Sequence, residues 1–225
     1  MTQETYQLLD SYMRPYMTDS VHDTNHIYRV LNVALNIAET EENVDYDVLI
    51  AACLLHDIGR QAEMNDRSLC HAKTGSEMAY QFLQEHGFEE AFSAHVRDCI
   101  ATHRFRKDDP PQSIEAKILF DADKVDVSGA LGIARTLMFK ASLEEPLYHL
   151  LADGQVSDGS DDADISFFQE YHYKLKHLYS RFFTKRAAEI AQTRQSAAVS
   201  FYRSILHEAQ ESHVLARDIL KHHLK

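Results

Sequence analysis

Four positions in this sequence set an imidazole or a carboxylate beside apolar residues: His26, His56, Asp57 and one aspartate of Asp121-Ala122-Asp123-Lys124-Val125-Asp126. Both groups bind divalent first-row metals, and both cost free energy to bury without a partner. His56-Asp57 directly follows the apolar run Leu49-Ile50-Ala51-Ala52-Cys53-Leu54-Leu55, so two ionisable groups enter the interior together. A pair carried inward in this way coordinates metal or is salt-bridged. A divalent ion held by three or four such ligands, with one position open, lowers the pKa of a bound water to about 7 in favourable zinc sites and neutralises charge on a phosphoryl oxygen. Spacing alone leaves the aspartate open, because Asp121 and Asp126 flank the apolar stripe of their segment more closely than Asp123 does.

Charged neighbours extend the set. Arg29 lies one helical turn after His26 and is placed to hold a phosphate bidentately, and Lys124 beside Asp123 offers a point charge. Asp23, one turn before His26, is placed either to cap the helix or to accept a hydrogen bond from the His26 ring.

The elements that position these residues read as helices. From Thr24, Ile27, Val30, Leu31, Ala34, Leu35 and Ala38 recur at spacings of three and four, with Asp23 or Thr24 as the cap. Asp45 opens a short, largely buried helix that is expected to run on to a left-handed Gly59, placing His56-Asp57 in its last turn. Further helices are predicted over about 72–86, stopped by Gly87, and over about 89–104, before the turn Asp108-Asp109-Pro110-Pro111. Ser113 caps the next, with Ile114, Ile118, Ala122 and Val125 as its stripe, and another follows around 129–140. No stretch shows sustained strand alternation. Residues 152–164 hold five aspartates and two glycines and read as an exposed acidic loop, without the spacing of an EF-hand.

Composition narrows the function classes. Glycine and proline together make 11 of 225 residues, too few for a turn-rich β-sandwich or a disordered chain, so an all-α protein is expected. A formal charge of -12 argues against extended nucleic acid and membrane surfaces, which attract basic proteins. An anionic substrate would therefore need a local positive centre. The charge is uneven: 171–225 carries 10 Lys or Arg against 4 Asp or Glu, and this tail with the residues just before it offers Phe167, Phe168, Tyr171, Leu175, Leu178, Phe182, Ile190, Val199, Phe201 and Ile205 as apolar surface for docking. The expected organisation is a helical core over 1–150 and C-terminal helices over 165–225 packing on it. Cys53, Cys70 and Cys99 form no CxxC pair and imply no disulfide framework. Neither a signal peptide nor an apolar run of the roughly 20 residues that cross a bilayer is evident, which leads us to expect a cytoplasmic protein.

The residues around His26 (His22-Asp23-Thr24-Asn25-His26-Ile27-Tyr28-Arg29-Val30), around His56-Asp57 (Ala52 to Arg60) and around Asp121–Val127 together resemble the H…HD…D signature of the HD-domain superfamily of metal-dependent phosphohydrolases. Ser113–Lys124, Gly129–Arg135 and Tyr171–Leu175, with Ala188 and Arg194, are similar to its small stand-alone bacterial branch, so the resemblance covers nearly the whole chain. It implies an all-α HD-domain helical bundle with a C-terminal extension, and a divalent metal (Mn, Mg, Co, Ni or Fe) held by His26, His56, Asp57 and Asp123. It also implies hydrolysis of a small-molecule nucleotide, a nucleoside triphosphate giving monophosphate and pyrophosphate, by a monomer or homodimer. The alternatives are a nucleotidase or phosphodiesterase, a di-iron oxygenase and a non-catalytic nucleotide-sensing module.

Two departures bear on mechanism. The acidic residue that several relatives place three positions after the HD aspartate is Arg60 here, leaving Asp126, His71 or a metal-bound water as the proton handler. His71 and His103 fall where two-metal members place extra histidines, yet Arg104-Phe105-Arg106-Lys107 stands where the phosphodiesterase subset carries its Gly-Tyr-Pro extension.

Overall fold

The computed structural model describes residues 1–18, 23–104 and 109–224, for 215–218 the backbone only. His22, Phe105-Arg106-Lys107 and Asp108 of the expected turn lie outside the described residues. The chain forms two compact units: 1–126 with 182–187, and 127–181 with 188–225.

Among the described residues, seven α-helices build the first: α1 (Gln3–Met13), α2 (Thr24–Ala38), α3 (Tyr46–Leu55), α4 (Arg60–Asn65), α5 (His71–Glu85), α6 (Glu90–Ala101) and α7 (Ile114–Asp126). Short polar side chains start several of them. Asp23 accepts from the His26 N–H at 2.8 Å, Asp45 from the Asp47 and Val48 N–H groups, and Ser113 from the Ala116 N–H. Helix α3 is buried from Val48 to Leu55 apart from the half-buried Ile50, because α1, α2, α6 and α7 pack around it. At the end of α5, Gly87 has φ +78°, its N–H donating to the Gln84 carbonyl and that of Phe88 to the Leu83 carbonyl, which satisfies the final carbonyls as the sequence anticipates. α1 has no counterpart in the sequence reading, although Thr2 caps it and Leu9 and Met13 are fully buried.

Gly59 corrects an expectation. Helix α3 stops at Leu55, His56-Asp57 lies in the turn beyond it, and Gly59 has φ -81°, not a left-handed conformation. Its requirement is space: a Cβ there would sit 2.2 Å from the His71 carbonyl oxygen and 2.6 Å from the Gly75 nitrogen. Two glycines thus let the His56–Gly59 turn press onto the first turns of α5.

The second unit contains α8 (Gly129–Ser142), α9 (Phe167–Tyr173), a 3-10 segment Leu175–Ser180 and most of the 39-residue α10 (Lys185–His223). Its core gathers Ile133, Val156, Phe167, Phe168, Tyr171, Leu175, Ala198 and Tyr202. The acidic loop is mostly exposed but is anchored by Val156 and by Ser157, whose hydroxyl donates to Asp162 at 2.5 Å. Of the expected tail contacts, Phe201 is exposed and Tyr202, one residue on, turns inward to stack on Tyr171. Among the described residues there is no β-strand, and no helix is long and apolar enough to cross a membrane.

Candidate metal centre

The candidate ligands are gathered from several elements of the first unit. α2 supplies His26 in its first turn, the turn after α3 supplies His56 and Asp57, and the last two turns of α7 supply Asp123 and Asp126. His71 opens α5 and His103 follows α6. The histidines and Asp57 are all buried.

His26 Nε2 lies 3.4 Å from His56 Nε2, 3.4 Å from Asp123 Oδ1 and 3.5 Å from Asp57 Oδ2, and His56 Nε2 lies 3.6 Å from the same Asp57 oxygen. Ligands bound at about 2.1 Å to one ion sit about 3–3.5 Å apart, so these four atoms have the spacing of a shared coordination shell. The other Asp57 oxygen, Oδ1, faces His103 Nε2 at 3.5 Å and His71 Nε2 at 3.8 Å. Asp57 thus belongs to two groups, one with His26, His56 and Asp123 and one with His71 and His103.

Hydrogen bonds on the far side of each ring decide what the near side offers. His56 Nδ1 donates to the Cys53 carbonyl at 2.8 Å and His103 Nδ1 to the Ile100 carbonyl at 2.6 Å. A carbonyl only accepts, so the Nδ1 hydrogen is fixed and Nε2 of the neutral ring carries a lone pair. Carboxylates impose the same tautomer on the other two: Asp126 Oδ2 is 2.8 Å from His26 Nδ1, and Glu63 Oε2 is 2.7 Å from His71 Nδ1. Burial pushes the pKa of His56 down to about 4 and that of His71 to about 3, which keeps both rings neutral at pH 7. Burial would raise the Asp57 carboxyl, but the field of the Arg60 guanidinium holds it well below the usual range.

Lone pairs and carboxylates therefore converge on the same two small volumes. Asp57 Oδ2, His71 Nε2 and His103 Nε2 are buried without a hydrogen-bond partner. Buried acceptors aimed at one another repel, and a cation between them removes the penalty. The residues fit divalent metal, with a mixed imidazole and carboxylate donor set suited to first-row ions.

The three aspartates of α7 separate cleanly. Asp121 turns away from the cluster and accepts from the Phe183 and Thr184 N–H groups and the Thr184 hydroxyl, holding the approach to α10. Asp123 enters the cluster, and Asp126 stands behind His26. Asp23 is the helix cap, and Asp126 is the group that meets the His26 ring. Arg29 gives Nε and Nη2 to Asp126 at 2.8 and 3.1 Å, and the Lys124 ammonium lies over the Phe120 ring at 4.1 Å and the Phe182 ring at 5.4 Å. Arg60 donates to Asp57 Oδ1 at 2.9 Å, and Arg104 to Glu63 Oε1 at 2.6 Å.

Glu63 has no place in the sequence reading. It sits on the short α4, eight residues before His71, and only the fold of the intervening loop brings the two together. No helical or strand period signals such a pair.

Residues 24–128 match the family model of the HD domain. The chain carries an HD domain. The matched segment spans the seven residues of the cluster from His26 to Asp126, and with the HD-superfamily hydrolases to which the chain is similar it supports a metal-dependent hydrolase. The Bacillus subtilis (strain 168) protein YpgQ is 28% identical over 201 residues, 87% of this chain and 89% of its own. The crystal structure of YpgQ in complex with ADP aligns at a TM-score of 0.68 and 27% identity, over 90% of this chain and 97% of that one. A predicted HD superfamily hydrolase from an uncultured Thermotogales bacterium aligns at 0.58 and 29% identity, covering 92% of each chain. An HD-superfamily hydrolase of Bacillus thuringiensis aligns at 0.65 and 27%, over 92% and 97%.

Proposed function

We infer that this HD domain hydrolyses a nucleoside triphosphate to the monophosphate and pyrophosphate. The reading is carried by His26 Nε2, which lies 3.4–3.5 Å from ligand atoms of His56, Asp57 and Asp123, and it is supported by the ADP bound to YpgQ. Those four residues would hold one divalent ion, and Asp57 Oδ1 with His71 and His103 would hold a second. When bound, the metal supplies Lewis acidity toward water and a phosphoryl oxygen.

The chain's own groups do the positioning. Asp126 keeps the proton of His26 on Nδ1 and is itself held by two Arg29 nitrogens, so its part is orientation more than proton transfer. Glu63 does the same for His71. In the overall reaction the water oxygen bonds to the α-phosphorus, the bond from that phosphorus to the α–β bridging oxygen breaks, and pyrophosphate leaves with that oxygen. The water protons pass to the products and solvent.

Phosphorus NMR of a nucleotide panel incubated with manganese, magnesium, cobalt, nickel or iron tests this. Monophosphate and pyrophosphate in equal amounts are expected. Orthophosphate alone would make the protein a nucleotidase, and no turnover with any pair would overturn the reading. The second ligand group favours a two-ion centre, which leaves a di-iron oxygenase as the other reading; two irons per chain with an iron absorption signature would select it.

A further inference from the structure

Resting on the nucleotide reading, we propose that Arg104 and Arg60 are the residues that grip the polyphosphate, and that Glu63 Oε1 is the acceptor that phosphate oxygens displace. The sequence points to Arg29 and Lys124 for this task, but Arg29 is forked onto Asp126 and Lys124 lies on two aromatic rings. Arg60 and Arg104 also lie beside the ligand cluster, donating through Nε to Asp57 and through Nη1 to Glu63.

These two arginines share one carboxylate. Arg104 Nη1 donates to Glu63 Oε1 at 2.6 Å, while Arg60 Nη1 lies 3.7 Å from Glu63 Oε2 and Arg60 Nε donates to Asp57 Oδ1. Asp57, Arg60, Glu63 and Arg104 therefore form a chain of alternating charge from the buried ligand cluster to the surface. Side-chain exposure along it is 0%, 22%, 19% and 45%. A multiply charged ligand that places one phosphoryl group at the cluster has its remaining phosphates beside this chain.

The exchange is chemically balanced. Carboxylate and phosphate both accept from the planar guanidinium fork, and phosphate carries the greater charge. Arg104 is 45% exposed and Glu63 19%, so water screens part of their attraction and the remainder is what an arriving phosphate must outcompete. Glu63 keeps its other oxygen on His71 Nδ1 throughout, so the ring stays oriented while Oε1 is released. The device distinguishes ligands by phosphate count: each phosphate beyond the first meets an arginine.

The test is calorimetric binding of AMP, ADP and α,β-methylene ATP in excess magnesium, with metal content measured alongside. Wild-type protein is expected to bind the triphosphate analogue more tightly than AMP. Arg104→Ala should shrink that advantage by about tenfold while leaving AMP affinity and bound metal unchanged. Arg104→Lys should fall between the two, because it keeps the charge and loses the fork. Glu63→Gln should widen the advantage by removing the competing charge, a sign that general damage to the site would not produce. An Arg104→Ala protein with the wild-type ratio would overturn the grip and leave the nucleotide reading standing. Wild-type protein that binds none of the three would bring down both.

Discussion

Asp126 illustrates what one buried carboxylate does when it is not itself a ligand. It fixes the His26 tautomer and is braced by Arg29, so Asp126→Asn should lower metal affinity by roughly 10- to 100-fold without unfolding the chain, measured by competition with a chromogenic chelator. Asp121, two residues before the proposed ligand Asp123, should behave in the opposite way. Its oxygens satisfy two backbone N–H groups and a hydroxyl, so Asp121→Ala should cost about 1–3 kcal/mol or more in denaturant unfolding and leave bound metal unchanged. Helical periodicity could not rank the three aspartates, since Asp121 is more buried than Asp123. Burial records that a polar group has a partner, not which partner it has. The resemblance selects Asp123 because it encodes the chemistry and not the wheel.

At the scale of elements, the site depends on how closely the turn after α3 meets α5. Gly59→Ala would drive a methyl into backbone atoms of His71 and Gly75 that have no side-chain freedom to yield. A destabilisation of about 1–3 kcal/mol is expected, with the loss of Tm accompanied by weaker binding at the His71 and His103 group. Sequence marks this glycine as a helix stop, and the structure shows that it is a close-approach glycine. In the second unit, Glu170 of α9 reaches Lys174 at 3.1 Å and the buried Lys140 of α8 at 3.6 Å. Burial opposes its charge, but the two lysines prevail and lower its pKa. A lowered carboxyl contributes stability that is fully present above the ordinary glutamate range and fades as pH falls through the native value. The Tm gap between wild type and Glu170→Gln should therefore be widest near neutral pH and should close in acid.

For the molecule as a whole, the starts and stops of α2, α5, α7 and α8 are legible because caps, glycines and apolar stripes are local signals. The unit boundary after Asp126 is not, because it depends on which distant segments α8 meets, and α8 packs with α9. The net charge of -12 argues against extended polyanions, yet it does not bear on a small nucleotide. Arg29, Arg60 and Arg104 all lie in the first unit near the ligand cluster, each facing a carboxylate, and this local arrangement is invisible to a total. Glu63 and Arg104, 41 residues apart, show the same limit for pairs. The central claim is that Asp57 joins both ligand groups and that the metal depends on it. Metal content per chain by mass spectrometry, in wild-type and Asp57→Ala protein purified without chelators, tests it most directly: wild type should carry about one to two divalent ions per chain, and the variant none. An Asp57→Ala protein that retains its metal would contradict the account.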